Sequence, residues 1–195
     1  MFEGVKQIFR NLKNYQAIVY LDRDGTINKD VGYPHTSDQL QILPTVARGI
    51  AKLNRLKIAV VIVTNQPIVA HSYASIQDIK KTNSFLVEKL AQKKAYIDGI
   101  YSCPHHPEGS NKKYSILCSC RKPGISMFLE SQKDYAITKI LGVMGDSFRD
   151  VEFGKKINAR TVLFSKKNYV VKNKLSPDFI EEKFINGVND LIELI

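Results

Sequence analysis

Residues 17–26 read Ala-Ile-Val-Tyr-Leu-Asp-Arg-Asp-Gly-Thr, an apolar run that stops abruptly at two aspartates and a glycine. The β-branched and aromatic residues predict a buried strand over Ala17–Leu21. Because residues two apart share a face of an extended backbone, the side chains of Asp22 and Asp24 would point the same way. Two carboxylates that close need a cation, a shared proton or water. The stretch therefore predicts a strand that ends in a reactive or metal-binding site.

Outward from this strand, apolar β-type runs alternate with helical patterns along most of the chain. Buried parallel strands are predicted at residues 58–63 and 140–144, with shorter strands at 100–101 and 161–164. Helices are predicted at residues 44–56 and 125–137, after Ser75 with its partner Asp78, and after the Ser-Pro-Asp sequence at 176–178. This alternation is typical of the α/β class and predicts an open, mostly parallel, Rossmann-like sheet flanked by helices.

The first 16 residues carry a pattern of their own. Four apolar residues recur there at helical spacing: Phe2, Val5, Phe9 and Leu12. They predict a short helix packed on the domain, with a membrane-surface helix as the alternative. Since 195 residues suit one domain, we predict a single domain over 1–195, with an N-terminal extension at 1–16 and a loop insertion at 103–120.

The composition indicates which kinds of binding partner to expect. A net charge of +10, with 44% hydrophobic and 25% charged residues, describes an ordinary globular chain that attracts anions. Because the lysines are scattered and match no groove-reading motif, we expect a phosphorylated small molecule as partner, rather than nucleic acid or a membrane. No apolar run approaches the roughly 20 residues of a membrane span, and no secretory signal is recognisable. We therefore expect a cytoplasmic protein. Because no extra interface element is evident in the sequence, we also expect a monomer.

Polar residues follow three of the predicted strands, and this topology would gather them at one edge of the sheet. They are Asp22 and Asp24, then Thr64, Asn65 and Gln66, then Asp146 and Ser147. Lys122 and Asp150 have the chemistry to act with them. A carboxylate can attack phosphorus, and a second carboxylate can protonate the leaving group. Asp22 and Asp146 suit Mg²⁺, while a lysine and a hydroxyl can hold phosphoryl oxygens. The pattern therefore indicates phosphoryl transfer.

A calcium loop is the alternative interpretation of residues 22–25. In the EF-hand pattern a glycine occupies the sixth position of the loop, whereas Gly25 is fourth here. The segment also follows a predicted strand instead of a helix. Both differences favour the phosphoryl-transfer interpretation.

All three cysteines of the chain lie between residues 103 and 120, which favours a local site in a reducing compartment over a disulfide framework. The predicted ligands of a closed, structural Zn²⁺ site are Cys103, His105, Cys118 and Cys120. His106 is the competing ligand, and His105 is preferred because Cys-x-His mirrors Cys-x-Cys. The intervening polar stretch has no core of its own, and a metal would order it. The alternative is three unrelated free thiols.

Residues 17–164 resemble the haloacid dehalogenase superfamily of phosphohydrolases. The matching motifs are Asp-Arg-Asp-Gly-Thr at 22–26, Thr64, Lys122, and Gly145-Asp146 through Asp150. The resemblance implies that Asp22 is the nucleophile and Asp24 the general acid and base. It also implies a Mg²⁺ site formed by Asp22, the backbone carbonyl of Asp24, and Asp146. Thr64, Asn65 and Lys122 would hold the phosphoryl group.

Within that superfamily, the sequence of the cysteine-containing loop indicates one particular family. The sequences Cys-Pro-His-His-Pro-Glu-Gly at 103–109 and Cys-Ser-Cys-Arg-Lys-Pro at 118–123 look like those of the D-glycero-D-manno-heptose 1,7-bisphosphate 7-phosphatases. The resemblance implies that the zinc loop replaces a large cap domain. It also implies sugar-phosphate contacts from Asp30, Gly32, Tyr33, Gln66 and Arg121. Such an enzyme would supply the synthesis of nucleotide-activated heptose for surface polysaccharide.

The sequence departs from that family around residues 67–72, which read Pro-Ile-Val-Ala-His-Ser. His71 stands where an arginine is common, and Ser147 where a lysine is common. Two other functions stay open: a histidinol-phosphate phosphatase, whose loop is usually shorter, and a zinc-stabilised binding protein that has lost turnover.

Overall fold

The computed structural model describes residues 2–11, 14–32, 40–165 and 175–193. Within these ranges seven strands form one sheet: β1 (Val5–Ile8), β2 (Ala17–Leu21), β3 (Ile58–Asn65), β4 (Gly99–Cys103), β5 (Ile140–Gly145), β6 (Thr161–Phe164) and β7 (Phe179–Glu181). Five helices accompany them: α1 (Val46–Arg55), α2 (Ile76–Ala91), α3 (Ser126–Tyr135), α4 (Phe148–Lys156) and α5 (Phe184–Ile192). The strand order is β1-β4-β3-β2-β5-β6-β7.

Every strand pair is parallel except β1 with β4, which confirms the predicted open and mostly parallel sheet. The five residues of β2 are buried because helices cover both faces of the sheet. On one face Val19 and Leu21 pack with apolar residues of α1, α2 and α5. On the other face Ile18 and Tyr20 pack with residues of α3 and α4. Continuous apolar runs, rather than alternating ones, are the sequence pattern of such a doubly covered sheet.

Helix α2 begins as its sequence predicts. The Ser75 hydroxyl accepts a hydrogen bond from the Asp78 amide at 3.2 Å, and the Asp78 carboxylate accepts one from the Ser75 amide at 2.8 Å. This reciprocal pair satisfies two of the amide groups that a helix start leaves without partners. None of the described helices combines the length and the apolar character needed to cross a bilayer.

The prediction of a helix within residues 1–16 is wrong, because Val5–Ile8 forms strand β1 at the edge of the sheet. The strand pairs antiparallel with β4, with Val5 opposite Ser102. Val5 is buried, whereas Ile8 is 41% exposed, so only one face of the strand meets the core. Leu12 of the predicted apolar face lies outside the described residues.

The prediction of a helix directly after residues 176–178 is also wrong. Asp178 instead accepts hydrogen bonds from the amide and the hydroxyl of Thr161, both at 2.8 Å, at the start of β6. Strand β7 follows and pairs parallel with β6, so Ile180 belongs to a strand. The terminal helix α5 begins only at Phe184.

Candidate active site and metal centre

The carboxyl ends of β3, β2 and β5 lie side by side, since these strands are parallel neighbours. A cavity of about 450 Å³ opens at this edge. Its lining is Asp22, Asp24, Asp30, Gly32, Thr64, Asn65, Gln66, Pro67, Arg121, Lys122, Asp146, Ser147 and Arg149. The structure thus brings together all the residues predicted for catalysis, Mg²⁺ and phosphoryl binding. Of the predicted substrate contacts it brings the four described ones, and Tyr33 lies outside the described residues.

Lys122 joins two carboxylates at the floor of the cavity. Its Nζ donates to Asp22 Oδ1 at 2.6 Å and to Asp150 Oδ1 at 2.5 Å, and its side chain is buried. Burial raises the pKa of Asp22; Lys122 opposes this rise, and the Asp150 charge adds to it. One lysine does not balance two buried carboxylates, so without a cation the raised pKa favours the protonated form of Asp22. A divalent cation at this place would favour the carboxylate form instead.

Three carboxylates could contribute to a cation site, since the oxygens of Asp22, Asp146 and Asp150 lie within 4.8 Å of one another. Asp150 is already engaged: one oxygen bonds Lys122, and the other accepts from the Ser147 amide at 3.2 Å and hydroxyl at 2.6 Å. Asp22 and Asp146 remain as the carboxylate ligands. Hard oxygen donors of this kind fit Mg²⁺. Burial, together with the Asp150 charge, raises the pKa of Asp146 to about 6.

Asp24 stands beside this cluster in a dense set of hydrogen bonds. Its Oδ2 accepts from Arg23 Nη2 at 2.9 Å and from Gln66 Nε2 at 2.6 Å. Its Oδ1 accepts from Asn28 Nδ2 at 2.8 Å and from Arg23 Nε at 3.2 Å. Gln66 also donates to the Thr64 hydroxyl at 3.0 Å, so the end of β3 is tied to the loop after β2.

Asn65 connects the sheet to the segment that carries Lys122. Its side-chain amide donates to the Lys122 carbonyl at 3.1 Å, and its side-chain carbonyl accepts from the Lys122 amide at 2.9 Å. This pair of bonds fixes the lysine backbone over the end of β3. Asn65 therefore acts on Lys122 as well as lining the cavity.

The three cysteines and one histidine form a second cluster, just before Lys122 in the chain. The Sγ atoms of Cys103, Cys118 and Cys120 lie 3.2–3.5 Å apart, and His105 Nδ1 lies 3.3 Å from Cys120 Sγ. A tetrahedral zinc with Zn–S bonds of about 2.3 Å places its sulfurs about 3.8 Å apart, so this arrangement is close to a ligand shell. All three thiols are free of disulfides.

Without a cation, the thiols of this cluster hold their protons, and a bound zinc ion would displace them. The hydrogen bond to Cys103 and burial both raise the pKa of the Cys120 thiol, and burial raises that of Cys118. Burial lowers the pKa of His105, which keeps its ring neutral as a ligand must be. The competing His106 points elsewhere: its Nδ1 accepts from the Glu108 amide at 3.2 Å, and its ring lies 4.9 Å from that of His71.

Residues 67–72, where the sequence departs from the family pattern, form a turn under the cysteine loop. Ile68 and Val69 are buried and pack with Tyr114 of the loop. The Asn111 amide donates to the Ala70 carbonyl at 2.9 Å. The changed residues therefore support the loop, and Pro67 alone among residues 67–72 lines the cavity.

Ser147, which follows Asp146 at the end of β5, lines the cavity as its position predicts. Sequence reasoning missed several other residues of the site: Arg149 lines the cavity, and Arg23 and Asn28 hold Asp24. Arg149 lies in the first turn of α4, one residue before Asp150. Its position inside the motif at residues 145–150 was a usable signal. The role of Asn28 had no such signal, since it depends on how the loop after β2 turns back.

Comparison with known proteins identifies relatives of the chain. It is 35% identical over 150 residues to the D-glycero-β-D-manno-heptose-1,7-bisphosphate 7-phosphatase of Photorhabdus laumondii, covering 73% of this chain and 80% of that protein. The enzyme of the same name from Yersinia pestis is 31% identical over 180 residues, covering 91% and 94%. No protein-family model matches the chain.

Solved structures share the fold. A protein of Mesorhizobium loti described as a HAD-like phosphatase superposes with a TM-score of 0.82 at 26% identity, covering 97% of this chain and 91% of that one. The D,D-heptose 1,7-bisphosphate phosphatase of B. bronchiseptica, solved with magnesium and phosphate, gives 0.78 at 24% identity, covering 92% and 100%. With the two aspartates after β2 and the thiol cluster before Lys122, these likenesses lead to one assignment: the chain belongs to the D-glycero-D-manno-heptose-1,7-bisphosphate 7-phosphatase family of HAD-like hydrolases.

Proposed function

We propose that the chain removes the 7-phosphate of D-glycero-D-manno-heptose 1,7-bisphosphate in a Mg²⁺-dependent reaction that passes through an aspartyl-phosphate on Asp22. The observation that carries the proposal is the pairing of Asp22 with Lys122 on the cavity floor, beside Asp24. The names of the relatives supply the substrate, and the product would enter the synthesis of nucleotide-activated heptose.

The reaction has two halves. A carboxylate oxygen of Asp22 attacks phosphorus, the bond from phosphorus to the sugar oxygen breaks, and Asp24 gives its proton to the leaving alkoxide. Asp24 then takes a proton from water as that water attacks the aspartyl-phosphate, which releases phosphate and restores Asp22. Lys122, Thr64 and Asn65 hold the phosphoryl oxygens as negative charge moves between them.

The residues that would hold Mg²⁺ are Asp22, Asp146 and the backbone carbonyl of Asp24. Bound there, the ion supplies charge neutralisation between the carboxylates and the anionic phosphoryl group. The closeness of Asp22, Asp146 and Asp150 supports this assignment, because an anionic substrate would add negative charge beside three carboxyl groups.

Two arginines in the cavity lining support a bisphosphate over histidinol phosphate. Arg121 and Arg149 line the cavity together with Asp30, and both arginines lower the pKa of the nearby His106 ring, after burial. Guanidinium groups bind phosphate well, whereas they repel the ammonium group of histidinol. We infer that Arg121 and Arg149 receive the phosphate that is not cleaved, with Asp30, Gly32, Tyr33 and Gln66 contacting the sugar.

We also propose that Cys103, His105, Cys118 and Cys120 bind a structural zinc ion. The site would lie in a reducing compartment, since its thiols must stay unoxidised. Zinc would hold the loop that delivers Arg121 and Lys122 to the cavity.

The test is phosphate release from both anomers of heptose 1,7-bisphosphate and from histidinol phosphate, with Mg²⁺, after chelation, and after Mg²⁺ alone is restored. We expect Mg²⁺-dependent turnover of the bisphosphate, and a loss of at least about a thousandfold in Asp22→Asn. Glu152→Gln, which changes an exposed ion pair on α4, serves as the control. Turnover of histidinol phosphate alone, or full activity in Asp22→Asn, would overturn the proposal.

A further inference from the structure

Arg23 lies between the two aspartates of the site, yet its side chain is completely buried. A buried guanidinium is costly unless its N–H groups all find acceptors. Arg23 makes four hydrogen bonds: two to Asp24, one from Nη2 to Gln66 Oε1 at 2.8 Å, and one from Nη1 to Asn83 Oδ1 at 3.0 Å. Four of the five N–H groups of the guanidinium therefore have an acceptor.

We propose that Arg23 is a positioning residue that sets the orientation of the Asp24 carboxylate for proton transfer. The guanidinium grips both oxygens of the neighbouring residue, from Nε at 3.2 Å and from Nη2 at 2.9 Å. A two-point contact of this kind fixes the plane of a carboxylate. Asn28 and Gln66 donate to the same two oxygens at 2.8 and 2.6 Å, and Arg23 is the one charged donor among the three. The inference rests on the proposed role of Asp24 as general acid and base.

The orientation is itself anchored in the body of the protein. Asn83 of α2, which accepts from Arg23, is fully buried and donates to Gln7 Oε1 of β1 at 3.0 Å. Gln7 Nε2 donates in turn to the Lys80 carbonyl of α2 at 3.2 Å. A chain of polar groups thus runs from Asp24 through Arg23 and Asn83 to the edge strand. Strand β1 and helix α2 together hold the guanidinium of Arg23 in place, and the guanidinium in turn helps to hold the Asp24 carboxylate.

If Arg23 only stabilised the fold, its loss would affect all substrates alike. If it orients Asp24, its loss should affect only substrates whose leaving group needs a proton, and this contrast makes the proposal testable. An alkyl phosphate needs a proton on its leaving oxygen, whereas p-nitrophenolate leaves without one. The value of kcat/KM reports the steps through departure of the leaving group. Loss of Asp24 orientation should therefore lower kcat/KM for the sugar phosphate and spare that for p-nitrophenyl phosphate.

The experiment compares both substrates in the wild type, Arg23→Lys and Asn83→Ala. Lysine keeps the charge but loses the two-point contact. For Arg23→Lys we expect kcat/KM to fall about 10- to 100-fold with the heptose bisphosphate and less than about threefold with p-nitrophenyl phosphate. Asn83→Ala, which leaves every contact of Asp24 in place, should give a smaller loss of the same selectivity, about 3- to 10-fold with the heptose bisphosphate.

A second readout follows the later half of the reaction. Because a misplaced Asp24 also activates water poorly, Arg23→Lys should release a rapid burst of p-nitrophenolate before a slow steady rate. Asn54→Ala is the matched control. Asn54 lies at the end of α1 and makes two hydrogen bonds with Tyr96 near the amino ends of β3 and β4, whereas the cavity lies at the carboxyl ends. It should show neither effect.

The outcomes separate the two proposals. If the wild type hydrolyses neither ester, the proposed function fails. If the wild type is active but Arg23→Lys and Asn83→Ala lower kcat/KM equally for both substrates, without a burst, Arg23 is only structural and the positioning role is wrong.

Discussion

Gly25 is the residue whose missing side chain makes room for Asp146. Its φ of +79° suits glycine, and a Cβ built there would lie 1.9 Å from Asp146 Oδ2. No rearrangement of a flexible group relieves this contact without moving a predicted Mg²⁺ ligand. The turn after β2 and the carboxylate after β5 therefore fit together only with glycine at this position.

Gly25→Ala should consequently cost more than backbone strain. Gly32 provides the comparison, because its φ of +85° is similar but a Cβ there meets nothing within 4 Å. We expect Gly32→Ala to lower the free energy of unfolding by about 1 kcal/mol, and Gly25→Ala by more than about 2 kcal/mol with weaker Mg²⁺ binding. Urea unfolding and Mg²⁺ titration measure both. Equal losses in the two variants would contradict the steric argument.

Arg149 supplies a prediction about substrate binding. If it receives the second phosphate, Arg149→Ala should raise KM for the bisphosphate about 10- to 100-fold, the loss expected for one hydrogen-bonded charge. For a substrate with a single phosphate, KM should stay within about twofold. Lys156→Ala, which removes an exposed lysine from the same helix, is the control. A similar KM change for both substrates would rule out a role specific to the second phosphate.

How far single residues can be predicted from the sequence depends on what places them. Asp22, Thr64 and Asp146 follow strand ends, so a pattern of parallel strands was enough to bring them together. Arg23 could not be assigned from its neighbours, because its partner Asn83 is 60 residues away and lies on a helix. Pairings of that length depend on the packing of α2 and β1, which no local pattern records.

Among the elements, the central strands were predictable and the edges were not. Strands β2, β3 and β5 are buried on both faces, and continuous apolar runs mark them. Strand β1 has one partner and one buried face, so its few apolar residues also fit a helical spacing. Strand β7 has only three residues. It pairs with β6 across an intervening segment of the chain, and local sequence patterns do not predict such a pairing.

Asp178 carries a prediction at this scale, because it joins β6, α4 and the start of β7. Although burial opposes it, hydrogen bonds from Lys155 and Thr161 lower the pKa of its carboxyl to about 2. A folded-state pKa below the ordinary value means that the stabilisation is complete above about pH 4. It is lost as the pH falls towards 2.

Asp178→Asn should therefore lower the free energy of unfolding by about 2 kcal/mol at pH 7. The difference from the wild type should shrink between pH 4 and pH 2, as measured by urea unfolding at each pH. Glu152→Gln removes an exposed ion pair instead, since its partner Lys156 is 47% exposed, and should change little. A deficit in Asp178→Asn that persisted unchanged to pH 2 would contradict the linkage.

At the scale of the whole molecule, one loop serves both the thiol cluster and the cavity. Cys120 is a proposed zinc ligand, Arg121 donates to the His105 carbonyl at 3.3 Å, and Lys122 reaches the cavity floor. Three consecutive residues thus connect a structural site to a reactive one. Changes at the thiols should therefore appear as changes in phosphate release.

Cys118→Ser tests this connection without touching the cavity lining. The purified wild type should contain about one zinc per chain, and the variant less. Losing a few kcal/mol of metal stabilisation should lower the midpoint of thermal unfolding by about 6–12 °C in a chain of this size. Activity should fall with it, even at saturating Mg²⁺. A wild type without zinc, together with a variant of unchanged thermal midpoint, would refute the metal site.

The position of Lys122, two residues after Cys120, also bears on how inhibition by chelators is interpreted. A chelator such as EDTA removes both kinds of ion, so inactivation alone does not say which loss matters. Restoring Mg²⁺ would revive only molecules whose loop kept its shape, and slow zinc loss would look like an irreversible decline during storage. Dialysis against a weak chelator, followed by each ion added back separately, distinguishes the two causes. With the proposed zinc site, assays of this chain need controlled zinc as much as added magnesium.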